Sequence, residues 1–157
     1  MGRSRTPTLR RYRAGDAGGI GTLVERVFRE YGLWRDHKNG LQDLRDIPAA
    51  YLRPGGEFLV LLAGPRVIGC GGLQVGRRGA AQVQRMYLDR AWRGRGLGRR
   101  LLNGLMERAA RRGVRRLDLE TSLRFQDAIA LYLRCGFEAC VMDCGGCCSV
   151  RMFRKIP

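Results

Sequence analysis

Apolar residues near the start of the chain recur with the spacing of one helix face. This periodicity predicts an amphipathic helix that begins after Asp16, a suitable N-cap, and ends at Gly32, which suits the C′ position. Residues 9–13 predict a short strand before this helix. The apolar positions of the helix are Ile20, Leu23, Val24, Val27, Phe28 and Tyr31.

Three segments of strand length occupy the middle of the chain. Residues 58–63 are continuously apolar, and residues 67–75 and 82–88 follow after short turns. Connections this short predict an antiparallel meander. Strict alternation in the third strand predicts two faces. One face would hold Val83, Arg85 and Tyr87, and the other Gln82, Gln84, Met86 and Leu88.

The segment between the first helix and the meander, residues 33–56, has a weaker pattern. Leu41, Leu44 and Ile47 predict a short helix that Pro48 stops. Loops that join rigid elements often shape substrate pockets, so this segment is a candidate for the rim of a site.

The second half of the chain alternates between strand and helix patterns. The glycine-rich segment 93–98 leads into an amphipathic helix that ends at Gly113. Residues 117–120 form the next strand, and a second helix through residues 128–135 is closed by Gly136. A strand–helix–strand connection of this length predicts a parallel, right-handed crossover.

Two last segments, 137–144 and 147–156, flank Gly145-Gly146 and predict a hairpin. Together the elements predict an α/β fold with a mixed, mostly antiparallel, twisted sheet of about seven strands and helices on both faces. No repeat or linker divides the pattern, so we expect one domain over residues 1–157.

Composition adds a strong positive charge. The chain has 30 Lys and Arg against 14 Asp and Glu, a net charge of +16. The arginines are scattered, which favours compositional bias over a nucleic-acid site, although the field would attract an anionic ligand. No apolar run approaches the roughly 18 residues of a membrane span, and no secretory signal core is visible. We therefore expect a cytoplasmic protein with no membrane partner.

Four of the six cysteines fall in or beside the predicted hairpin: Cys140, Cys144, Cys147 and Cys148. A zinc site would need all four to converge, but adjacent residues of a strand point to opposite faces. A cross-strand disulfide between Cys144 and Cys147 stays open. Without a secretory signal we expect free thiols and no metal. His37 is expected to be a surface residue rather than a base or ligand.

The segment 93–98 carries the clearest chemical signal. A strand ends, a turn rich in glycine and arginine follows, and a helix starts at once. The first N–H groups of a helix suit an anion, and glycine lets a ligand approach the backbone. The pattern is neither a P-loop, because no Lys-Ser/Thr follows, nor a complete Rossmann fingerprint. A pyrophosphate is the expected ligand.

This turn lies in QRMYLDRAWRGRGLGRRLL, which resembles the strand–turn–helix block of the GNAT superfamily of N-acetyltransferases and its signature Q/R-x-x-G-x-G/A. Downstream, LDLETSLRFQDAIALYLRCGF is similar to the strand and helix that follow in that family. The resemblance covers most of the chain and is strongest over residues 82–137. It implies the acyl-CoA N-acyltransferase fold and an acetyl-CoA-dependent N-acetyltransferase.

The resemblance implies acetyl-CoA as co-substrate and assigns its contacts. The strand before the turn should splay from the strand after the helix, and pantetheine should lie in the gap. Backbone groups of Met86, Tyr87 and Leu88 would bind pantetheine and the acetyl carbonyl, with an N–H stabilising the charge that develops on its oxygen. Backbone amides would hold the pyrophosphate at Arg93, Gly94, Arg95, Gly96, Leu97, Gly98 and Arg99.

Tyr132 matches the family's tyrosine on the last helix, and its implied role is to protonate the leaving CoA thiolate. Two positions depart from the pattern. Gln82 stands where many relatives have a glutamate. Asp127 stands near the position of an asparagine that touches the cofactor in relatives, so the resemblance implies that Asp127 contacts CoA. Glu120 is the candidate general base, with a solvated surface carboxylate as the alternative. The amine can also lose its proton to water.

The acceptor remains open at this point. A small-molecule or peptide amine fits the resemblance, as does a monomer or a homodimer. A non-catalytic acyl-CoA-binding or sensor domain is the alternative that Gln82 and the positive charge motivate. Nucleic-acid binding is a third possibility, but no pattern of aromatic and basic residues for base stacking supports it.

Overall fold

The computed structural model describes residues 6–37, 40–140 and 149–157. Within these ranges, one sheet has the strand order β1-β2-β3-β4-β5-β7-β6. The strands are β1 Thr8–Arg11, β2 Glu57–Ala63, β3 Arg66–Val75, β4 Ala80–Leu88, β5 Arg116–Ser122, β6 Glu138–Cys140 and β7 Ser149–Lys155. The helices are α1 Ala17–Glu30, α2 Trp34–His37, α3 Leu97–Arg111 and α4 Gln126–Arg134.

Only one pair of neighbouring strands is parallel in the described sheet. β4 and β5 run in the same direction because α3 connects them as a crossover. The other neighbours are antiparallel. The predicted meander, the crossover and the mostly antiparallel sheet are thereby confirmed.

Helices cover both faces of the sheet, as the two cores show. β2 is buried along almost its whole length, and its residues alternate between the cores. Leu59 and Leu61 pack on the α3 side, whereas Phe58 and Val60 pack on the α1 side. Full burial of such a side chain contributes roughly 2 kcal/mol, which explains why the strand is continuously apolar.

The start of α1 differs from the prediction. Asp16 precedes the helix, but its side chain makes no capping hydrogen bond to it. Its carboxylate accepts hydrogen bonds of 2.8 Å from both Nη atoms of Arg10 and one of 2.7 Å from the Arg13 backbone. The Arg10 bonds hold the pKa of Asp16 below its ordinary value. Asp16 therefore joins β1 to the turn before α1 rather than capping the helix.

The segment after α2 also differs from the prediction. A 3₁₀ turn spans Gln42–Arg45, and a separate π-helical turn spans Pro48–Leu52. Pro48 begins this turn instead of stopping a helix, because the first N–H of a helical turn has no partner to lose. Tyr51 packs edge-on against Phe58, with ring centroids 5.0 Å apart, and holds the segment on the sheet.

The predicted C-terminal hairpin pairs as expected where it is described. β6 and β7 are antiparallel, and β7 lies between β5 and β6. The Gly145-Gly146 turn and the questions about Cys144, Cys147 and Cys148 lie outside the described residues.

Cys70, Cys135 and Cys140 are free thiols, and the first two are buried. Among described residues, no cluster of three or more potential ligands could hold a metal ion. No helix in the described part of the chain is both long and apolar enough to cross a bilayer.

Candidate active site

The main cleft opens where β4 and β5 separate. Their parallel pairing runs from Ala80 and Arg116 to Val83 and Leu119, and no further. Beyond this point β4 continues against β3, and β5 continues against β7. A cleft of about 750 Å³ lies in the gap. The predicted splay is confirmed.

A β-bulge in β4 lies at the start of the splay. Gly72 pairs with Gln84 and Cys70 pairs with Tyr87, so residues 85 and 86 together stand opposite residue 71. Arg85 takes the unusual backbone angle φ +56°. An extra residue on one strand bends it and increases its twist, which turns β4 away from β5.

The bulge makes the predicted alternation of β4 wrong beyond residue 84. Met86 and Leu88 join Val83 in the core on the α3 side, whereas Tyr87 joins the core on the α1 side. The physical reason is that one inserted residue shifts every later side chain to the opposite face.

An ion-pair network holds the bulge on the α1 side, and sequence reasoning missed it. Arg85 donates to both carboxylate oxygens of Asp43, at 2.9 and 2.6 Å, and to the Gly40 carbonyl at 2.7 Å. The Tyr51 hydroxyl donates to Asp43 at 2.5 Å. Although burial acts in the opposite direction, the Arg85 and Tyr51 bonds hold the pKa of Asp43 below its ordinary value.

The edge of β4 that faces the cleft offers backbone groups. The Asp89 N–H is turned to β3, where it donates to Ile68 O at 2.8 Å. Because neighbouring strand residues direct their amides to opposite edges, that of Leu88 faces the cleft. Met86, one of the two bulge residues, also lines the cleft. Tyr87 pairs with Cys70 and reaches the cleft through its side chain. Burial raises the pKa of its phenol to about 12.

Asp89, which sequence reasoning also missed, anchors the turn at the end of β4. Its buried carboxylate accepts hydrogen bonds from Arg26 at 2.5 Å, Arg66 at 2.6 Å and the Ala91 N–H at 3.1 Å. Burial raises its pKa, but these donors outweigh burial and leave the pKa lowered. The turn is thereby tied to α1 and to the β2–β3 hairpin.

The turn itself has the geometry expected of an anion site. Gly94 and Gly96 both have φ +73°, a left-handed conformation that favours glycine, and nothing lies within 4 Å of a Cβ built on either residue. The first intrahelical bond of α3 runs from Arg100 N to Gly96 O. The N–H groups of Leu97, Gly98 and Arg99 therefore lack helical acceptors and stand at the positive end of the dipole.

Not every predicted member of the turn reaches the cleft. Residues that line it are Arg93, Gly94, Gly96, Leu97, Gly98 and Arg99. Arg95 is absent from this lining, and its guanidinium lies 5.0 Å from the centroid of the Trp92 ring. Gly98 also serves packing, because a Cβ there would stand 3.2 Å from Leu131.

The Arg93 side chain is occupied by the protein itself. Its guanidinium donates to both oxygens of Glu30, at 2.6 and 3.0 Å, and to the Leu88 carbonyl at 3.0 Å. Despite burial, which lowers it, the pKa of Arg93 is raised by its bond to Glu30. Arg93 thus ties the end of α1 to the end of β4.

A second hollow of about 400 Å³ shares Arg99 and Arg134 with the cleft. It lies between α3 and α4 and also contains Arg154 and Asn103. None of the three arginines has a carboxylate partner among described residues. Arg134 and Arg154 carry no motif, so their convergence was not visible in the sequence. This edge of the cleft attracts anions.

Tyr132, on α4, lines the cleft and is buried. Its ring packs against Phe137, and burial together with nearby Tyr87 raises its pKa. Within the described part of the chain, no hydrogen bond occupies its hydroxyl. The group is therefore a protonated donor that a ligand can use.

The two carboxylates in the lining lie in exposed positions. Glu120, near the end of β5, accepts a hydrogen bond of 2.9 Å from Ser149 and lies 3.5 Å from the Arg151 guanidinium. Asp127 lies in the first turn of α4. Gln82 lies in the paired part of β4 and does not line the cleft.

A mostly antiparallel sheet that splays beside a glycine-rich helix start is the architecture of an acyl-CoA N-acyltransferase. Residues 22–137 match the model of the acetyltransferase (GNAT) family. Because this match covers well over half of the chain, the protein belongs to the acetyltransferase (GNAT) family, and it is an acyltransferase.

Individual relatives agree with this assignment. The uncharacterized N-acetyltransferase YjgM of Escherichia coli is 34% identical over 160 residues, which cover 96% of each chain. PaiA N-acetyltransferase of Thermoplasma acidophilum, solved with coenzyme A, has a TM-score of 0.79 at 18% identity and covers 97% of this chain and 100% of its own. YncA of Salmonella typhimurium, solved with acetyl-CoA, has a TM-score of 0.75 at 19% identity and covers 96% of this chain and 94% of its own.

Proposed function

We propose that the protein transfers the acetyl group of acetyl-CoA to a primary amine by direct attack. The observation that carries this proposal is the row of N–H groups at Leu97, Gly98 and Arg99, which have no acceptor within the helix and line the cleft at the β4–β5 splay. A pyrophosphate held there directs the pantetheine arm into the gap between the strands. Two fold neighbours, PaiA and YncA, were solved with coenzyme A and acetyl-CoA, respectively.

The cleft-facing amides of β4 are the proposed partners of the pantetheine arm. Met86 and Leu88 would add it to β4 as an extra strand in the place that β5 has vacated. The N–H of Met86, one of the two bulge residues, would stabilise negative charge on the thioester oxygen. The guanidinium groups of Arg99 and Arg134 have no carboxylate partner among described residues, and they favour a ligand with several phosphates.

Tyr132 is the proposed acid. The amine nitrogen forms a bond to the thioester carbon while the carbonyl oxygen takes the electron pair. When that pair returns, the carbon–sulfur bond breaks, and the sulfur receives the Tyr132 proton. Burial raises the pKa of this phenol, so it is protonated at neutral pH and ready to donate.

The proton released by the amine has two proposed routes. Glu120 lies in the lining and is exposed, so it can accept the proton directly or through water. Gln82 cannot take part, because it neither ionises nor reaches the cleft. Holding the two substrates together would supply much of the acceleration.

The variant Gly96→Val tests the proposed phosphate site in the turn of residues 93–98. A β-branched residue at φ +73° is strained and would project into the space assigned to the diphosphate. We expect the Kd for CoA, measured by calorimetry, to rise at least about tenfold, which corresponds to about 1.4 kcal/mol. Gly64→Val is the matched control, because Gly64 also has a positive φ and open space but lies outside the cleft.

Unchanged affinity in Gly96→Val would contradict the phosphate site. A measurement of turnover distinguishes the enzyme from the alternative of a non-catalytic sensor domain. If CoA binds but no amine of a broad panel is acetylated, the chain is a binding domain rather than an enzyme.

A further inference from the structure

The cleft extends through the gap in the sheet to the α1 side. If the cofactor occupies the α3 side, as proposed above, the acceptor must approach the thioester from the opposite half. Gln84 and Arg85 also line the cleft on this side, and we define the acceptor half by its apolar lining residues, Val27, Phe28, Tyr31, Leu33, Tyr87 and Phe125. Four of these six side chains are aromatic and the other two are aliphatic.

The aromatic rings support one another. Tyr31 and Phe125 meet edge to face with centroids 4.7 Å apart, and Phe28 and Tyr87 do so at 5.4 Å. Phe28 and Phe125 are nearly parallel at 6.4 Å. Rings held in this way keep their positions before a ligand arrives, so they form a preorganised apolar wall. Phe125, just before α4, is only partly buried and presents free surface to the cleft.

Three charged side chains that line the cleft beside this wall are ion-paired. Arg85 pairs with Asp43 at 2.6 Å, Arg93 pairs with Glu30 at 2.6 Å, and Glu120 lies 3.5 Å from Arg151. Arg124, whose guanidinium donates to the Tyr31 carbonyl at 3.4 Å, has no carboxylate partner among described residues, but it does not line the cleft. The unpaired arginines of the lining, Arg99 and Arg134, lie on the cofactor side beside α3 and α4.

These ion pairs limit the chemical classes of acceptor that the cleft can bind. Within the described lining, no free guanidinium stands on the acceptor side to receive a substrate carboxylate, as an α-amino acid would need. Of the two lining carboxylates, Glu120 is engaged and only Asp127 has no ion-pair partner among described residues. A polyamine, with several ammonium groups, would find too few acidic partners there.

We infer that the acceptor is a monoamine carried on an aromatic body, such as an arylalkylamine, and that Phe125 is a specificity-determining residue for it. The aromatic body would pack against the acceptor half while the amine points toward the thioester near Tyr132. The inference rests on the proposed function and names the substrate class of that same cleft.

The test uses the full chain with acetyl-CoA and measures the acetylated product by chromatography. The acceptors are 2-phenylethylamine, ethylamine, spermidine and alanine. We expect kcat/KM for 2-phenylethylamine to exceed that of each of the others at least about a hundredfold, because only its ring gains the apolar contacts.

A substitution of Phe125 tests whether the apolar wall causes the preference for 2-phenylethylamine. Phe125→Ala should reduce the ratio of kcat/KM for 2-phenylethylamine over ethylamine at least about tenfold. Leu123→Ala is the control, because Leu123 is similarly close to α4 and exposed but does not line the cleft, and it should leave the ratio unchanged. Thermal unfolding followed by circular dichroism checks that each variant is folded.

Three results would overturn the inference. The first is that spermidine or alanine is the preferred acceptor, and the second is that Phe125→Ala leaves the ratio of kcat/KM unchanged. Either result would show that the acceptor is not an aromatic monoamine held by Phe125, while the protein would still be an acetyltransferase. If CoA binds and none of these amines nor a broader panel is acetylated, the proposed function fails together with its acceptor.

Discussion

Tyr132 is the residue on which the proposed chemistry depends most. It combines burial, a raised pKa and a hydroxyl that no described residue engages. A tyrosine that served only the core would lose little on conversion to phenylalanine, because the ring contacts with Phe137 would remain. The effect of removing the hydroxyl group therefore distinguishes a catalytic role of Tyr132 from a role in packing.

We expect Tyr132→Phe to lower kcat roughly a hundredfold, because the leaving thiolate would lose its proton donor. The Kd for CoA should stay within about threefold of the original value, since the backbone contacts do not involve the hydroxyl. Steady-state kinetics and calorimetry measure the two quantities. Tyr12→Phe, at a partly buried tyrosine outside the cleft, is the control. An unchanged kcat would remove Tyr132 from the mechanism.

At the scale of elements, β4 decides the shape of the cleft. Its bulge requires a left-handed backbone at Arg85, a conformation that costs about 1 kcal/mol or more for a residue with a side chain. The bidentate pair with Asp43 offsets that cost and connects β4 to the segment after α2. Asp43 is thus a positioning residue for the cleft-facing edge.

Asp43→Asn should lower the free energy of unfolding by roughly 2 kcal/mol, because it leaves a half-buried guanidinium without its charged partner. It should also raise the KM for acetyl-CoA more than it lowers kcat, since the β4 amides would be held less firmly. Urea unfolding and steady-state kinetics measure these effects.

Asp118→Asn is the matched control. The Asp118–Arg116 pair has similar geometry but is exposed, so its loss should cost less than about 1 kcal/mol. Equal losses of stability in the two variants, with an unchanged KM in Asp43→Asn, would show that the network does not position β4.

For the whole molecule, electrostatics predicts how stability depends on pH. The pKa values of Asp16, Asp43 and Asp89 are all lowered in the folded chain. Burial raises those of Asp43 and Asp89, but hydrogen bonds from arginine partners, from Tyr51 to Asp43 and from the Ala91 N–H to Asp89 outweigh it. A carboxyl with a lowered pKa stabilises the fold at pH values above its unfolded pKa of about 3.9 and loses that contribution as the pH falls further. Protonation also exposes the repulsion among 30 basic residues.

We therefore expect Tm to be nearly constant between about pH 7 and pH 5 and to fall steeply below about pH 4. Added salt at low pH should restore part of the loss, because it screens the repulsion. Differential scanning calorimetry across this range measures the effect. The same Tm at pH 3 and pH 7 would show that these ion pairs contribute nothing to stability.

Local patterns in the sequence determined the elements of this protein. Periodicity located α1, α3 and α4, short turns predicted the meander, and the glycine-rich segment 93–98 marked the helix start that suits an anion. These features are readable because each depends on residues close together in the chain: the period of a helix, the length of a turn, or the conformation of a glycine.

Tertiary structure alone decided where the side chains meet. The bulge at Arg85 reversed the faces of β4, Asp16 became an ion-pair partner of Arg10, and Asp43, Asp89, Arg134 and Arg154 joined sites that carry no motif. Apart from the Arg10–Asp16 pair, whose residues are only 6 positions apart, these contacts depend on register and on pairings between distant parts of the chain, as between Arg85 and Asp43, which are 42 positions apart. A linear pattern does not encode them, because the partner of each charge is chosen by packing.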